Sequence, residues 1–177
     1  IIANPVPFNP KIVSGISTVF DEYLPIISPD QELSFFTRRS DKKSLHSITN
    51  ISVEEFVSSR KIMGKFEVGL ALPSPFNLES NEGGASITID NRVLYYTKCI
   101  RNKKGYNNCD IYYVNRDDNT WSLVQTFSDK ISKLDSWESQ PTVSSDGKTI
   151  IFASDRVGGY GKIDLYEINW QNGKWTN

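Results

Sequence analysis

Three glutamates are placed to do chemistry in the same setting three times. Glu22, Glu82 and Glu138 stand 60 and then 56 residues apart, each eight residues before an aspartate, Asp30, Asp90 or Asp146. Each aspartate opens a turn into an apolar run, LSFFT, VLYYT or TIIFA, and bases follow the runs: Arg38 and Arg39, Lys98 and Arg101, and Arg156. A second set of acids, Glu55, Asp110 and Asp164, opens EFVSS, DIYYV and DLYEI, with an aromatic eleven residues later at Phe66, Trp121 and Trp175. Carboxylates beside bases are the material of acid–base catalysis, yet a catalytic site uses each of its residues once. Carboxylates that recur once per unit are expected to fix loops instead. The glutamate before the first strand would pair with the base after the second, and the acid opening the third strand would accept backbone N–H groups of its loop.

What this leaves for function is a surface. The crossing into each first strand and the loop after each second strand are expected to share one face. That face collects Glu22 and Arg39, Glu82 and Tyr106, and Trp137, Glu138, Arg156 and Tyr160. Aromatics beside arginine are the composition of interface hot spots, so these eight residues are the candidate binding face. Exposure of Trp137 and Tyr160 is the discriminator. No catalytic residue, metal ligand or cofactor is expected. The one histidine, His46, lies in a polar stretch with no acidic or thiol partner at motif spacing. SSDGKT resembles a sialidase Asp box but lacks its aromatic end, and there is no Gly-x-Ser-x-Gly elbow of a serine hydrolase.

The chain has 177 residues, 38% hydrophobic and 12% aromatic, which suffices for a core. A net charge of −1 with no basic stripe argues against a nucleic-acid partner. No apolar stretch approaches the roughly 18 residues that span a bilayer, and IIANPVPFNP lacks the layout of a signal peptide. Cys99 and Cys109 flank RNKKGYNN, a spacing that suits a disulfide across the neck of a hairpin and hence an oxidising compartment. Two unpaired thiols are the alternative.

The period demands a repeat architecture. Four short antiparallel strands per unit, punctuated by turn residues, are the signature of a propeller blade, and no helix is expected. The fold class is therefore all-β: a β-propeller fragment of three four-stranded antiparallel blades. Residues 1–18 are read as the outer strand and crossing of a preceding blade, 19–76 as blade one, 77–131 as blade two and 132–177 as an incomplete blade three. In blade one the polar insert from Ser40 to Val53 replaces the GGYG loop of blade three, and KFEVGLAL begins the fourth strand.

At SPDQELSFFTRR, NEGGASITIDNRVLYYTKC and SSDGKTIIFASDRVGGYGKIDLYE the chain resembles the Pro-Asp β-propeller repeats related to those of TolB. The resemblance is to the subset joined elsewhere to tetratricopeptide and OmpA-like domains in type IX secretion and gliding machinery of Bacteroidetes. It implies a non-catalytic scaffold in the periplasm, associated with the outer membrane, whose partners are other subunits of an envelope complex. The alternatives are a TolB-like peptide-binding accessory of envelope maintenance and a substrate-gating propeller of a hydrolase. Asn91 and Gln31 depart from the pattern, standing where it has glycine. Three blades do not close a ring, so the remaining blades or a second copy are expected against the open edges.

Overall fold

Runs rich in aromatic and β-branched residues, bounded by Asp, Asn, Gly and Pro, form strands, and the computed structural model contains no helix among the residues it describes, 8–43, 50–78, 81–101, 105–118, 120–128 and 131–176. His46 lies outside them. The strands build three antiparallel sheets in chain order. Sheet 1 holds β1 (Asp21–Ile27), β2 (Leu33–Lys43), β3 (Asn50–Ile62), β4 (Lys65–Phe66) and β5 (Leu70–Ala71). Sheet 2 holds β6 (Glu82–Ile87), β7 (Val93–Arg101), β8 (Asn107–Asp117), β9 (Thr120–Trp121) and β10 (Gln125–Thr126). Sheet 3 holds β11 (Glu138–Val143), β12 (Thr149–Ser154), β13 (Asp164–Gln171) and β14 (Lys174–Thr176).

Two expectations are corrected. The outer strand of sheets 1 and 2 is broken in two: the ladder lapses over residues 67–69 and 122–124, where the Glu67 and Ser122 N–H groups still donate to Arg60 O and Asn115 O, and β4, β5, β9 and β10 carry the regular pairing. Sheets 1 and 2 therefore have five strands rather than four. The polar insert is not all loop: β2 and β3 stay in register from Leu33↔Arg60 to Lys43↔Asn50, so residues 40–43 and 50–53 prolong the two strands, while 44–49 lie outside the described residues. Of residues 1–18, read as the outer strand and crossing of a preceding blade, 1–7 lie outside the described residues and 8–18 carry a turn at 14–16.

The Asp turns are the same device three times. The hydroxyl of Ser28, Thr88 or Ser144 donates to Asp30, Asp90 or Asp146 at 2.5, 2.6 and 2.6 Å. The same hydroxyl oxygens accept the N–H of Leu33, Val93 and Thr149 at 2.9, 3.0 and 3.0 Å. The hydroxyl bond, with backbone N–H donors behind it, holds all three carboxyls below the usual carboxylate range. The next residue must take a left-handed conformation: φ is 62° at Gln31, 60° at Asn91 and 70° at Gly147.

A bulge recurs in each first strand. One extra residue enters β1, β6 and β11 between Tyr23/Ile26, Gly83/Ser86 and Ser139/Thr142. Its left-handed residue is Leu24, Gly84 or Gln140, with φ of 51°, 57° and 55°. In β11 the amides that flank the bulge turn to sheet 2: Gln140 N–H donates to Thr97 Oγ1 and Val143 N–H to Ser86 Oγ, both at 3.0 Å. First strands β1, β6 and β11 thus lie beside one another at the inner edges of their sheets.

Two apolar seams fill the spaces between sheets. Phe35, Phe56 and Phe76 meet Leu94, Tyr96 and Val114 between sheets 1 and 2, and Tyr95, Ile111 and Ile131 meet Ile150, Phe152 and Ile168 between sheets 2 and 3. Cys99 and Cys109 are directly paired across β7 and β8 and form a disulfide.

Left-handed strain is not equal at the three turns. A non-glycine residue there costs about 1–2 kcal/mol, partly offset because glycine orders more chain entropy. Gln31→Gly is expected to raise unfolding free energy by about 0.5–1 kcal/mol in urea denaturation. Asn91→Gly is expected to give no gain, because asparagine tolerates this conformation and Asn91 Nδ2 also donates to Asp30 at 2.5 Å.

Candidate functional site

The expected ion pairs form in every sheet. Arg38 Nε lies 2.9 Å from Glu22, Lys98 Nζ 3.7 Å from Glu82 and Arg156 Nη2 3.1 Å from Glu138. Glu82 and Glu138 are fully buried, and a buried carboxylate is tolerable only with partners. Beyond the bases, each glutamate holds the chain that leads into its own sheet. Thr18 N–H donates to Glu22 at 3.2 Å, Asn77 N–H to Glu82 at 2.8 Å and Lys133 N–H to Glu138 at 3.2 Å. Glu138 also accepts the Ser136 and Ser154 hydroxyls at 2.5 and 2.9 Å. Burial alone would raise Glu22, but Thr18 and Arg38 outweigh it and hold the carboxyl below its ordinary range.

The arginines are consumed as thoroughly. Arg156 donates to Ile131 O at 2.7 Å and Ser154 Oγ at 3.0 Å, with its guanidinium over Phe152 and Tyr166. Arg38 donates to Gly69 O and Ile16 O at 3.0 and 3.1 Å. Arg156, Glu138, Glu82 and Glu22 therefore belong to the scaffold beneath the predicted face. Arg39 stays on the surface, paired with Asp21 at 2.5 Å.

The aromatics stand differently. Tyr160 is fully exposed at 107%. Its loop leaves it no cover: Gly161 N–H donates to Asp164 at 2.9 Å, and a Cβ on Gly159 would collide with the same carboxylate at 2.1 Å. Glycine at 159 is what lets the loop close on Asp164 and lift Tyr160 into solvent. Tyr106 is exposed on the β7–β8 hairpin, near Asp155 and Glu138. Trp137 is half-buried, its backbone N–H donating to Asp155 at 2.7 Å, and it lines a cavity of about 200 Å³ with Tyr23, Glu54, Glu82 and Thr97. That cavity is below the roughly 300–1,000 Å³ of small-molecule sites.

Sequence reasoning missed two contributors. Tyr23 OH donates to Glu54 at the cavity wall. Asn77 imitates a strand: it accepts from Phe56 N–H at 2.7 Å and donates to Phe56 O and Leu72 O at 2.8 and 2.9 Å. Nothing in either residue's neighbours signals this.

Asp110 is the unusual acid. Burial first, then a hydrogen bond and the charge of Glu138, push it up to about 6, against the opposing bond from Asn108. Its Oδ1 is buried without a donor, which a proton held between the two carboxyls would relieve.

No family model and no curated protein matches this sequence. Among solved structures, the fold is similar to that of a Mycobacterium tuberculosis puromycin-hydrolyzing peptidase, with a TM-score of 0.59 at 10% identity. The likeness covers 89% of this chain and 23% of that one, and at this identity it bears on fold alone. All-β architecture and the disulfide stand; no helix among the described residues is long and apolar enough to cross a membrane.

Removing Glu138 by Glu138→Ala leaves Arg156 charged and buried, and is expected to cost about 3–5 kcal/mol in chemical denaturation. Arg39→Ala, at the exposed pair, is expected to leave the midpoint unchanged. Asp110 has the opposite pH sign to Glu22 and the turn aspartates. Its folded pKa is raised, so its contribution is full below 3.8 and lost as pH rises through about 6. Asp110→Asn is expected to raise stability at pH 7 but not at pH 4, read by denaturant midpoints across that range.

Proposed function

We propose that the three sheets are consecutive blades of a β-propeller and that the chain is a non-catalytic protein-interaction module of a bacterial envelope machinery. The TolB-like repeat motifs support an envelope scaffold of the type IX secretion and gliding kind, in the periplasm and associated with the outer membrane. The disulfide is compatible with that oxidising compartment. One observation carries the reading. The repeated acids and bases are bound to one another and to the backbone, whereas Tyr160, Tyr106 and Trp137 remain presented or half-presented near the same loops. A surface that presents aromatics and neutralises its charges suits a protein partner better than a reacting substrate.

A second reading is favoured by the likeness to a peptidase of which this chain resembles 23%. In it the propeller gates substrate access to a hydrolase unit. Its chemistry would sit elsewhere, and the same surface would face that unit.

Cross-linking mass spectrometry in the native envelope separates the two. Cross-links from the Trp137–Tyr160 loops to secretion or gliding subunits are expected, and they should vanish in Tyr160→Ala with no change in melting temperature. Absence of envelope partners, together with peptide hydrolysis by the natural-length protein, would establish the gating reading instead.

A further inference from the structure

The two ends of the array differ. Five residues after its turn aspartate each sheet presents Phe35, Tyr95 or Ile151, and one residue after the acid of its third strand it presents Phe56, Ile111 or Leu165. In sheets 1 and 2 the next sheet seals these positions, leaving exposures of 1% and 1% for Phe35 and Phe56, and 5% and 1% for Tyr95 and Ile111. In sheet 3, Ile151 is 40% and Leu165 77% exposed.

The sealing residues are equally regular. They stand four and six positions after the incoming sheet's turn aspartate: Leu94 and Tyr96 on sheet 1, Ile150 and Phe152 on sheet 2. Sheet 1 has Ser34 and Phe36 at those positions, 2% and 1% exposed, because its own chain lies over them. A Cβ on Gly69 would meet the Phe36 ring at 2.5 Å, and Ser59 Oγ donates to Glu67 O at 2.6 Å. Sheet 1 is capped; sheet 3 is not.

We infer that the outer face of sheet 3 docks a further antiparallel sheet of this same repeat, with bulky residues four and six positions after its turn aspartate seated on Ile151 and Leu165. The two seams already in the molecule specify that occupant. A second copy offers no such face, since its sheet 1 is covered by residues 67–69. Two copies meeting sheet 3 to sheet 3 would bring two Glu167 carboxylates together, and such a like-charge juxtaposition is costly. The inference rests on the repeat part of the proposed reading and not on its interaction part.

Both cysteines of the chain are in the disulfide, so Leu165→Cys presents its sole free thiol. At an exposed position the substitution is tolerated, and Ile151→Cys serves as a second probe. Maleimide labelling is compared between the 177-residue chain and the natural-length polypeptide, across a dilution series. Met63→Cys, at a position 99% exposed, serves as control. Labelling is expected to be at least about tenfold slower in the natural-length protein, independent of concentration, with the control unchanged. Equal rates would overturn the docking, and so would protection lost on dilution, which would identify a second copy as the cover. Cross-links from Tyr160 report on the interaction reading alone, so either idea fails without the other.

Discussion

A carboxylate cannot be buried without donors, and this molecule buries one at the entrance of a sheet and repeats the arrangement. Glu82 and Glu138 have almost no exposed surface, and Glu22 little more. Each is held by a base in or just after the second strand and in turn holds the backbone leading in from the preceding segment. One acid therefore sets two things: how the first strand meets the second, and where the connection from the previous sheet must arrive. The charged pairs bring little net stability after desolvation, but breaking one is expensive. They act as specifications of geometry, and the apolar seams supply the attraction.

At the opposite end of the first strand the Asp turn performs a similar service with exposed groups. Its hydroxyl bridges the carboxylate and the amide that starts the second strand, so the turn satisfies its own backbone locally. Between these fixed points the bulge adds one residue to each first strand. Its consequence is visible in β11, whose amides at Gln140 and Val143 bond to sheet 2 rather than to their own sheet. There the bulge makes the inner edge of sheet 3 a hydrogen-bonding partner of sheet 2, so these two sheets are joined by polar contacts as well as by their aromatic seam.

This economy explains the character of the candidate surface. Residues that look reactive in the sequence are tied down, and the candidates that reach furthest into solvent are chiefly aromatic. Asp110 is the exception within the scaffold: its carboxyl faces Glu138 across the seam between sheets 2 and 3, so that seam carries an acid with inverted pH behaviour beside ordinary turn aspartates.

Much of the fold was legible in the sequence because its determinants are local. The Glu-to-Asp interval, the turn aspartates and the runs after them reveal three strand pairs, the intra-sheet ion pairs and the cysteine bridge, since each joins strands that neighbour one another along the chain. Tertiary structure alone decided the rest. The broken outer strands, the prolonged strand pairing of residues 40–43 with 50–53 and the turn at 14–16 depend on what packs over them, and periodicity does not record that. The cavity beside Trp137 forms where β1, β6 and β11 converge, bringing Tyr23, Glu82 and Ser139 together from three repeats. Which of the eight candidate residues stay exposed was likewise undecidable from type and spacing: Arg156 and Tyr160 look equivalent in the sequence, but a buried glutamate claims the first and a glycine loop exposes the second.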